Sequence, residues 1–376
     1  MSLPGLGLLA AQAGPSSVPT SSTTAAPVVH DLAANSEWRF EVEIGTSIEV
    51  KILSGSAELF GPVLAVKPPT HSTAPKPQSS RTMAAASRSP ASARKPAPAG
   101  EPEPLVLEVG PNNSGKTSLV KLLTAYATRS GKQSIVVNTD PGEGMLSIPG
   151  SLTATAMSSV IDVEEGWGSS PTSGPSSVPV KLPLVYFYGL KSPEDEPKLY
   201  KPVCTRLALA VTERLADDEA VKKSGVIIDT PGVISQGKNG YDLISHIASE
   251  FTVNVIIVLG SERLHSDMLR RFSNATPTPI TVIKLDKSGG RDDRHDADTS
   301  AVRQSQIREY FFGSIKRTLS PHTQTVDFSA VTVYKVHEQS GMMSSFLLAV
   351  KRRSRVQFSI VWSRAVRCCI VLWLLL

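Results

Sequence analysis

One short stretch, VGPNNSGKTSL at residues 109–119, carries phosphate-binding chemistry. The spacing G-x-x-x-x-G-K-[ST] is satisfied by Gly110, Gly115, Lys116 and Thr117. We expect backbone N–H groups of residues 113–118 to converge on a β-phosphate. Lys116 would reach the β- and γ-oxygens, and Thr117 would offer its hydroxyl to Mg²⁺. The loop therefore predicts a bound nucleoside triphosphate.

Two carboxylates follow later strand-like runs and could act on that triphosphate. Asp140 follows SIVVN, where a small-substrate kinase places the acid that orients and deprotonates an attacking hydroxyl. Asp229 follows VII and fits a carboxylate that acts on Mg²⁺ through water. Each also has a structural interpretation, Asp140 as a turn residue in DPG and Asp229 as a helix or turn cap.

A GTPase switch and a mechanical ATPase are the alternatives to a kinase. DTPG at residues 229–232 imitates the D-x-x-G switch motif of GTPases. A GTPase also needs an N/T-K-x-D motif that reads the base. IKLDKSGG supplies Lys284, Leu285 and Asp286, but no Asn or Thr precedes the lysine. The missing residue disfavours the GTPase.

The elements that must position these residues form a predicted parallel α/β sheet. Short apolar runs lie at residues 105–109, 134–138, 225–230, 254–259 and 280–285. KTSLVKLLTAYATR, directly after the loop, predicts a helix with Leu119, Leu122, Leu123 and Tyr126 on one side. Strands buried on both faces and separated by helices indicate a parallel sheet. We expect a P-loop NTPase/kinase-like domain over residues 105–315.

The remaining segments differ from the predicted α/β domain in composition. Residues 1–34 are interpreted as a disordered leader, and residues 35–66 as a β domain because Phe40 and the apolar residues after it alternate with polar ones. Residues 67–104 contain nine prolines and are interpreted as a flexible basic linker without strands. The tail, 351–376, ends in an apolar run of nine residues after Arg367, which is too short to span a bilayer.

Composition and net charge indicate the cellular compartment of the protein and the kind of partner that it binds. The chain has 376 residues and a formal net charge of +5, compatible with an acidic partner such as RNA. Its three cysteines give neither a disulfide framework nor zinc spacing, which favours a reduced compartment, the cytosol or nucleus. The first residues lack the basic start and long apolar core of a signal peptide. No membrane association is expected.

A set of motifs in one order resembles the pre-mRNA cleavage and polyadenylation factor family. They include GPNNSGKTSL, NTDPGEGMLSIPGSLTA, GVIIDTPGVISQGKNGYDLI and VNVIIVLGSERLHSDM. These proteins are similar to RNA 5′-hydroxyl polynucleotide kinases, and the resemblance covers roughly residues 35–66 and 105–346. It implies an N-terminal β-sandwich, a central P-loop domain and a small C-terminal β domain that begins within residues 316–350. It also implies a nuclear complex, cleavage factor IA, in which a scaffold subunit holds the protein.

Carried over from the family, the nucleotide is ATP with Mg²⁺. The resemblance implies adenine contact by Glu37 in SEWRFEVE and a second nucleotide contact by Lys76. The phosphate-binding residues are Gly110, Asn113, Ser114, Gly115, Lys116, Thr117 and Ser118. The metal-binding residues are Thr117 and Asp229, and the catalytic residues of a kinase would be Asp140 and Lys116.

Departures from the family favour ATP as a structural cofactor over efficient RNA phosphorylation. Active RNA kinases of this group have a Trp after the T-x-G turn that stacks on RNA, whereas this chain has Val233. The lid sequence is altered and leaves Arg291 and Arg294 as lid candidates. Residues 67–104 and 351–376 depart from the family entirely, as frameshifted or misspliced gene-model segments would. An active RNA kinase remains the alternative.

Overall fold

The computed structural model describes residues 27–42, 47–59, 61–64, 70–73, 81–87, 104–158, 183–235, 238–273, 280–288, 296–313 and 318–320. The chain divides into two units, Met1–Leu319 and Ser320–Leu376, and the elements below lie in the first. The predicted tail and most of the predicted leader and C-terminal β domain lie outside the described residues, so these domain assignments remain predictions.

Short antiparallel strands form the described N-terminal region. They are β1 (Glu37–Val42), β2 (Ser47–Val50), β3 (Ala57–Leu59), β4 (Val63–Leu64), β5 (Thr70–Thr73) and β6 (Arg81–Ser87). One sheet has the order β1-β6-β3-β4, and β2 pairs with β5. Leu59 and Leu64 are buried against Phe40 of β1 and Val50 of β2, so strands of both sheets share one small core. The alternating pattern correctly predicted β1 and β2.

The prediction that residues 67–104 contain no strand is wrong. Strands β5 and β6 lie inside this segment, and β6 pairs with both β1 and β3 in the middle of its sheet. The prolines fall outside the two strands: THST and RTMAAAS contain none. Proline removes a ladder donor only at its own position, so composition averaged over the whole segment concealed two proline-free runs.

A seven-stranded sheet forms the central domain. Its strands are β7 (Leu105–Val109), β8 (Ile135–Asn138), β9 (Ser151–Ala156), β10 (Leu184–Phe187), β11 (Val226–Asp229), β12 (Val255–Leu259) and β13 (Thr281–Leu285). The order is β10-β9-β8-β11-β7-β12-β13. The five strands that sequence predicted are parallel, as expected. Strands β9 and β10 add an antiparallel edge that the apolar runs did not reveal.

Helices cover both faces of the central sheet. They are α1 (Lys116–Arg129), α2 (Pro197–Asp217), α3 (Glu219–Lys222), α4 (Lys238–Glu250), α5 (Glu262–Phe272) and α6 (Asp296–Phe312). Side chains of α2, α4 and α5 share the larger core, whereas Val120 of α1 packs with Val136 and Ile227 on the opposite face. Within the described helices, none is long and apolar enough to cross a membrane.

Helix α1 has the predicted bounds but a different buried face. Its buried positions are Lys116, Val120, Thr124 and Ala125, and the predicted apolar stripe is only partly buried. The reason is that α1 contacts two layers. Its inner side packs on the central sheet, while Tyr126 and Arg129 hydrogen-bond to Glu58 of the N-terminal sheet. A helix between two layers has no single apolar side.

Candidate nucleotide-binding site

The loop between β7 and α1 has the backbone shape of a phosphate cradle. Asn113 and Gly115 adopt left-handed conformations, with φ of 57° and 95°. The Ser114 N–H bonds to the Pro111 carbonyl at 3.2 Å, and α1 begins at Lys116 with Gly115 as its N-cap. Left-handed turns at a helix start direct successive N–H groups towards one point, where the helix dipole also favours an anion. The loop backbone therefore has a geometry that suits a phosphate group.

Lys116 lies over its own loop. Its side chain is buried, with 7% exposed, and Nζ donates a hydrogen bond to the Pro111 carbonyl oxygen at 3.0 Å. Burial of an ammonium group is costly unless the charge has partners. A single carbonyl partner leaves two of the three ammonium hydrogens able to reach phosphate oxygens.

The Thr117 and Asp229 side chains meet at the end of β11. The Thr117 hydroxyl donates to Asp229 Oδ2 at 2.6 Å. The Asp229 carbonyl accepts from both the N–H and the hydroxyl of Thr139, at 3.0 and 2.7 Å, which fixes the end of the strand. Burial raises the pKa of the Asp229 carboxyl to about 6, opposed by the Lys116 charge and the Thr117 hydrogen bond. The pair predicted to bind Mg²⁺ is thus assembled.

Asp140 lies in a loop that is held from several sides. The Asn138 side chain accepts from the Asp140 N–H at 2.9 Å and donates to the Asp140 and Glu143 carbonyls at 3.1 and 3.0 Å. Asp140 Oδ1 accepts from the Gly142 N–H at 2.7 Å. Burial, then the charges of Glu143 and Asp229, raises the pKa of Asp140 to about 7. A carboxyl with that pKa can exchange a proton near neutrality.

Sequence reasoning missed Glu108, a buried acidic residue on β7 that lies next to Asp229 of β11. Glu108 lies beside Asp229 in the parallel register of β7 and β11, and Asp229 is in turn beside Asn138. The side chain is completely buried, and burial followed by the Asp229 charge raises its pKa well above the ordinary value. The available signal was a charged residue inside the apolar run LVLEV.

Of the two base-contact candidates, Glu37 is described with a partner on its own strand, and Lys76 lies outside the described residues. Glu37 on β1 is 40% exposed and forms an ion pair with Arg39 at 2.9 Å, and this hydrogen bond lowers the pKa of Glu37. Lys76 and the lid candidates Arg291 and Arg294 lie outside the described residues. The described contacts therefore do not join Glu37 to the phosphate loop.

The turn after β11 packs tightly on the phosphate loop. A Cβ atom added at Gly232 would lie 2.1 Å from Asn112 Oδ1 and 2.5 Å from its backbone nitrogen. Val233 is partly buried and packs against the larger core of the central domain. This side chain therefore contributes to packing, and a valine offers no aromatic face for a base.

The residues that imitate a GTPase base motif are engaged elsewhere. Lys284 forms ion pairs with Glu262, in the first turn of α5, and with Asp286, at 3.4 Å in the second case. The Asp286 side chain is 92% exposed. A base-reading aspartate needs a defined pocket to accept both guanine N–H groups, so this geometry gives no support to a guanine site.

Family models match both the N-terminal strands and the central domain of this chain. A family model for the mRNA cleavage and polyadenylation factor CLP1 P-loop matches residues 110–313, and one for the N-terminal β-sandwich domain of polyadenylation factor matches residues 31–74. The mRNA cleavage and polyadenylation factor clp1 of Botryotinia fuckeliana is 57% identical, over 92% of this chain and 80% of that protein. The corresponding factor of Phaeosphaeria nodorum is 47% identical, over 90% and 78%.

Two solved structures are similar across most of the chain. A wild-type Clp1p–Pcf11p complex has a TM-score of 0.64 at 25% identity and covers 80% of this chain and 78% of that chain. The second, with a TM-score of 0.63 at 25% identity, covers 80% and 79%. Its subject is an extended interface between Pcf11p and Clp1p and the basis of ATP loss in a glycine-to-arginine point mutant.

Proposed function

The chain belongs to the CLP1 family of mRNA cleavage and polyadenylation factors, and from this premise we propose that it is an ATP-binding subunit of cleavage factor IA. Its role would be in the nucleus, in the complex that cleaves and polyadenylates pre-mRNA. The scaffold subunit would be its main partner, since the similar solved structures hold Clp1p with Pcf11p. RNA is a further candidate partner, given the net charge of +5.

ATP is proposed as the ligand of the loop between β7 and α1. The observation that carries this assignment is the hydrogen bond of Thr117, in the first turn of α1, to the buried Asp229, at 2.6 Å. Lys116 and the loop N–H groups would bind the phosphates. Glu37 and Lys76 stay proposals for the base and the rest of the nucleotide.

Mg²⁺ fits the residues beside the phosphate loop. Asp229 Oδ1 is buried and has no hydrogen-bond partner within the described residues, and the Thr117 hydroxyl lies next to the same carboxylate. Hard oxygen donors of this kind suit Mg²⁺, which uses one or two protein ligands together with phosphates and water. When bound, the ion would neutralise phosphate charge.

ATP would act mainly as a structural cofactor. Val233 offers no surface for base stacking, an interaction worth about 1–3 kcal/mol per base. Phosphoryl transfer depends largely on positioning, so weak RNA clamping disfavours turnover. Bound ATP would instead stabilise the fold: millimolar ATP with micromolar affinity gives about 4 kcal/mol.

An active RNA 5′-hydroxyl kinase is the second candidate, and one observation favours it. Asp140 lies in the loop after β8, where the Lys116 charge acts on it, and its pKa of about 7 suits a general base. In that case Asp140 would take the proton of the 5′-hydroxyl while Lys116 contacts the transferring phosphate.

Titration calorimetry of the full chain with ATP in Mg²⁺ tests nucleotide binding, with melting temperature as a second readout. We expect one ATP per chain and a higher melting temperature. GTP should bind more weakly. No heat and no thermal shift with ATP would refute the proposed ligand.

A further inference from the structure

All three polar groups of Thr139, the residue after β8, have a hydrogen-bond partner. Its N–H and its hydroxyl both donate to the Asp229 carbonyl, at 3.0 and 2.7 Å. Its own carbonyl accepts from the Tyr200 hydroxyl at 2.8 Å. Thr139 and Tyr200 are both 0% exposed, so water cannot replace a partner that is lost. These bonds link α2, the end of β8 and the end of β11.

The linked residues end at the pair assigned to Mg²⁺. The Thr117 hydroxyl of α1 donates to the Asp229 carboxylate at 2.6 Å, whereas Thr139 bonds the backbone of the same aspartate. Core residues of α1 and α2 pack on opposite faces of the central sheet. Asp229 is therefore held at its side chain from one face, and its backbone is held by a threonine that α2 supports from the other.

Tyr200 is a rigid donor for this purpose. Its ring packs edge-on against the Tyr188 ring, with the centroids 5.6 Å apart, and its N–H bonds to the Glu196 carbonyl at 3.0 Å. Burial raises the pKa of Tyr200 well above its ordinary value, so the hydroxyl keeps the proton that it donates. The position of the Thr139 carbonyl is thus set by α2.

A cation at this site depends closely on the position of Asp229. Mg²⁺ requires near-octahedral geometry and is commonly bound through one or two carboxylates together with phosphates. Within the described ranges, no three His, Cys, Asp or Glu side chains converge closely enough to hold a metal ion. Among those residues, no group of acids therefore compensates for a displaced Asp229. Residues that orient a metal ligand commonly affect metal affinity as strongly as some ligands do.

We propose that Tyr200 is a positioning residue for the magnesium complex of ATP, acting through Thr139 on the end of β11 that carries Asp229. The proposal rests on the ATP and Mg²⁺ site proposed above. Phenylalanine at position 200 keeps the ring packing but leaves the Thr139 carbonyl without its donor. The three bonds of Thr139 involve no residue of the phosphate loop, so the loss affects the cation and not the loop.

Tyr200→Phe in the full chain tests the proposal. Calorimetry gives the dissociation constant of ATP in Mg²⁺ and in EDTA, and the ratio of the two constants measures cation dependence. We expect the constant in Mg²⁺ to rise about tenfold, while the constant in EDTA stays within about twofold of that of the unmodified chain. A role in stability alone would lower the melting temperature and leave the ratio unchanged.

Tyr188→Phe is the matched control. Tyr188 is 4% exposed, and its hydroxyl donates to the Ser192 and Glu196 carbonyls at 3.1 and 3.3 Å. The variant removes a buried hydroxyl from the neighbouring ring without removing a bond to Thr139. It should lower the melting temperature and keep the Mg²⁺ to EDTA ratio of the unmodified chain.

Two substitutions of Thr139 test the same link from its other side. Thr139→Val removes the hydroxyl that bonds the Asp229 carbonyl, whereas Thr139→Ser keeps it. We expect Thr139→Val to weaken binding of ATP in Mg²⁺ selectively, as Tyr200→Phe does, and Thr139→Ser to restore it. This pair decides the question if Tyr200→Phe does not fold.

The outcomes separate this inference from the proposed function. ATP binding with an unchanged ratio in Tyr200→Phe, or an equal change of the ratio in Tyr188→Phe, would overturn the role of Tyr200 and leave the nucleotide site intact. If Tyr200→Phe does not fold, an unchanged ratio in Thr139→Val overturns it instead. Equal constants in Mg²⁺ and EDTA for the unmodified chain also contradict it. No ATP binding by the unmodified chain would sink both proposals.

Discussion

A buried glutamate lies near each end of helix α1, and the two differ in whether the protein supplies hydrogen-bond partners for the side chain. At its C-terminal end, Glu58 is 8% exposed and accepts hydrogen bonds from Tyr126 at 2.6 Å and Arg129 at 3.1 Å. At its N-terminal end, Glu108 is fully buried without a hydrogen-bond partner in the described part of the chain. The helix has 14 residues, so the two regions are about 20 Å apart.

The contrast separates a structural contact from a functional one. Glu58 has the partners that a buried charge requires, and Arg129 also bonds the Gly61 carbonyl at 2.8 Å, so this end holds the N-terminal sheet on the helix. Unsatisfied oxygens of Glu108 and Asp229 mark the other end as a place where a ligand completes the interactions. Substitutions at the two ends should therefore have separable effects.

Lys116→Ala should produce the largest effect on ligand binding. It removes the side-chain cation of the loop, so we expect ATP affinity to fall by at least about a hundredfold. Competition with a fluorescent ATP analogue gives the constant. Lys132→Ala, an exposed lysine beyond the same helix, is the control and should bind normally. Unchanged affinity in Lys116→Ala would remove the basis of the phosphate site.

Two glycine substitutions should sharpen the comparison. An added Cβ would meet Asn112 at Gly232 and lie 2.5 Å from the Ala125 Cβ at Gly61, where φ is also +98°. Each Gly→Ala change should lower the free energy of unfolding by about 1–3 kcal/mol through overpacking. Only Gly232→Ala should also weaken ATP binding, because only that glycine packs on the phosphate loop. Equal ATP affinity in the two variants would contradict the separation.

The nucleotide-free protein should lose stability as pH rises from 5 to 7. Burial raises the pKa of Asp140 from 3.8 to about 7, so the folded state holds this proton more tightly than the unfolded state. That contribution is complete below pH 3.8 and is lost as pH rises through 7, with a slope of about 1 kcal/mol per pH unit. Asp140→Asn should flatten the slope in denaturant titrations. An unaltered slope in Asp140→Asn refutes this account.

Glu37→Gln should have the smallest effect and concerns the base alone. A carboxylate accepts from the adenine amine, whereas guanine presents a carbonyl there, so the variant should reduce the ATP over GTP preference a few-fold. The ion pair with Arg39 competes for the same oxygens and limits the effect. Competition of the two nucleotides measures it. A preference for GTP in the unmodified chain would revive the switch interpretation.

Sequence alone predicted the features that depend on local pattern. The phosphate loop, α1 and the five parallel strands each have a continuous signature of apolar residues or glycines, and the family resemblance is confirmed by the comparisons. Asp229 could be placed because it ends such a strand. Thr117 and Asp229 were each predicted to bind Mg²⁺, and the hydrogen bond between their side chains is what the structure adds.

Features that depend on non-local packing could not be read from the sequence. Strands β5 and β6 are short and are defined by their partners in other strands, so segment composition hid them. The buried face of α1 depends on Glu58 and Gly61, more than 50 residues earlier in the chain. The position of Glu108 beside Asp229 follows from the register of β7 and β11, which only the folded sheet shows.

The most direct test of ATP as a retained cofactor follows the fate of its γ-phosphate. The full chain is loaded with γ-labelled ATP and Mg²⁺, mixed with 5′-hydroxyl RNA, and sampled for bound nucleotide and labelled RNA. We predict that ATP stays intact on the protein and that the RNA gains little or no label. Robust labelling of RNA by the unmodified chain, lost in Asp140→Asn, would contradict the cofactor role and establish the kinase.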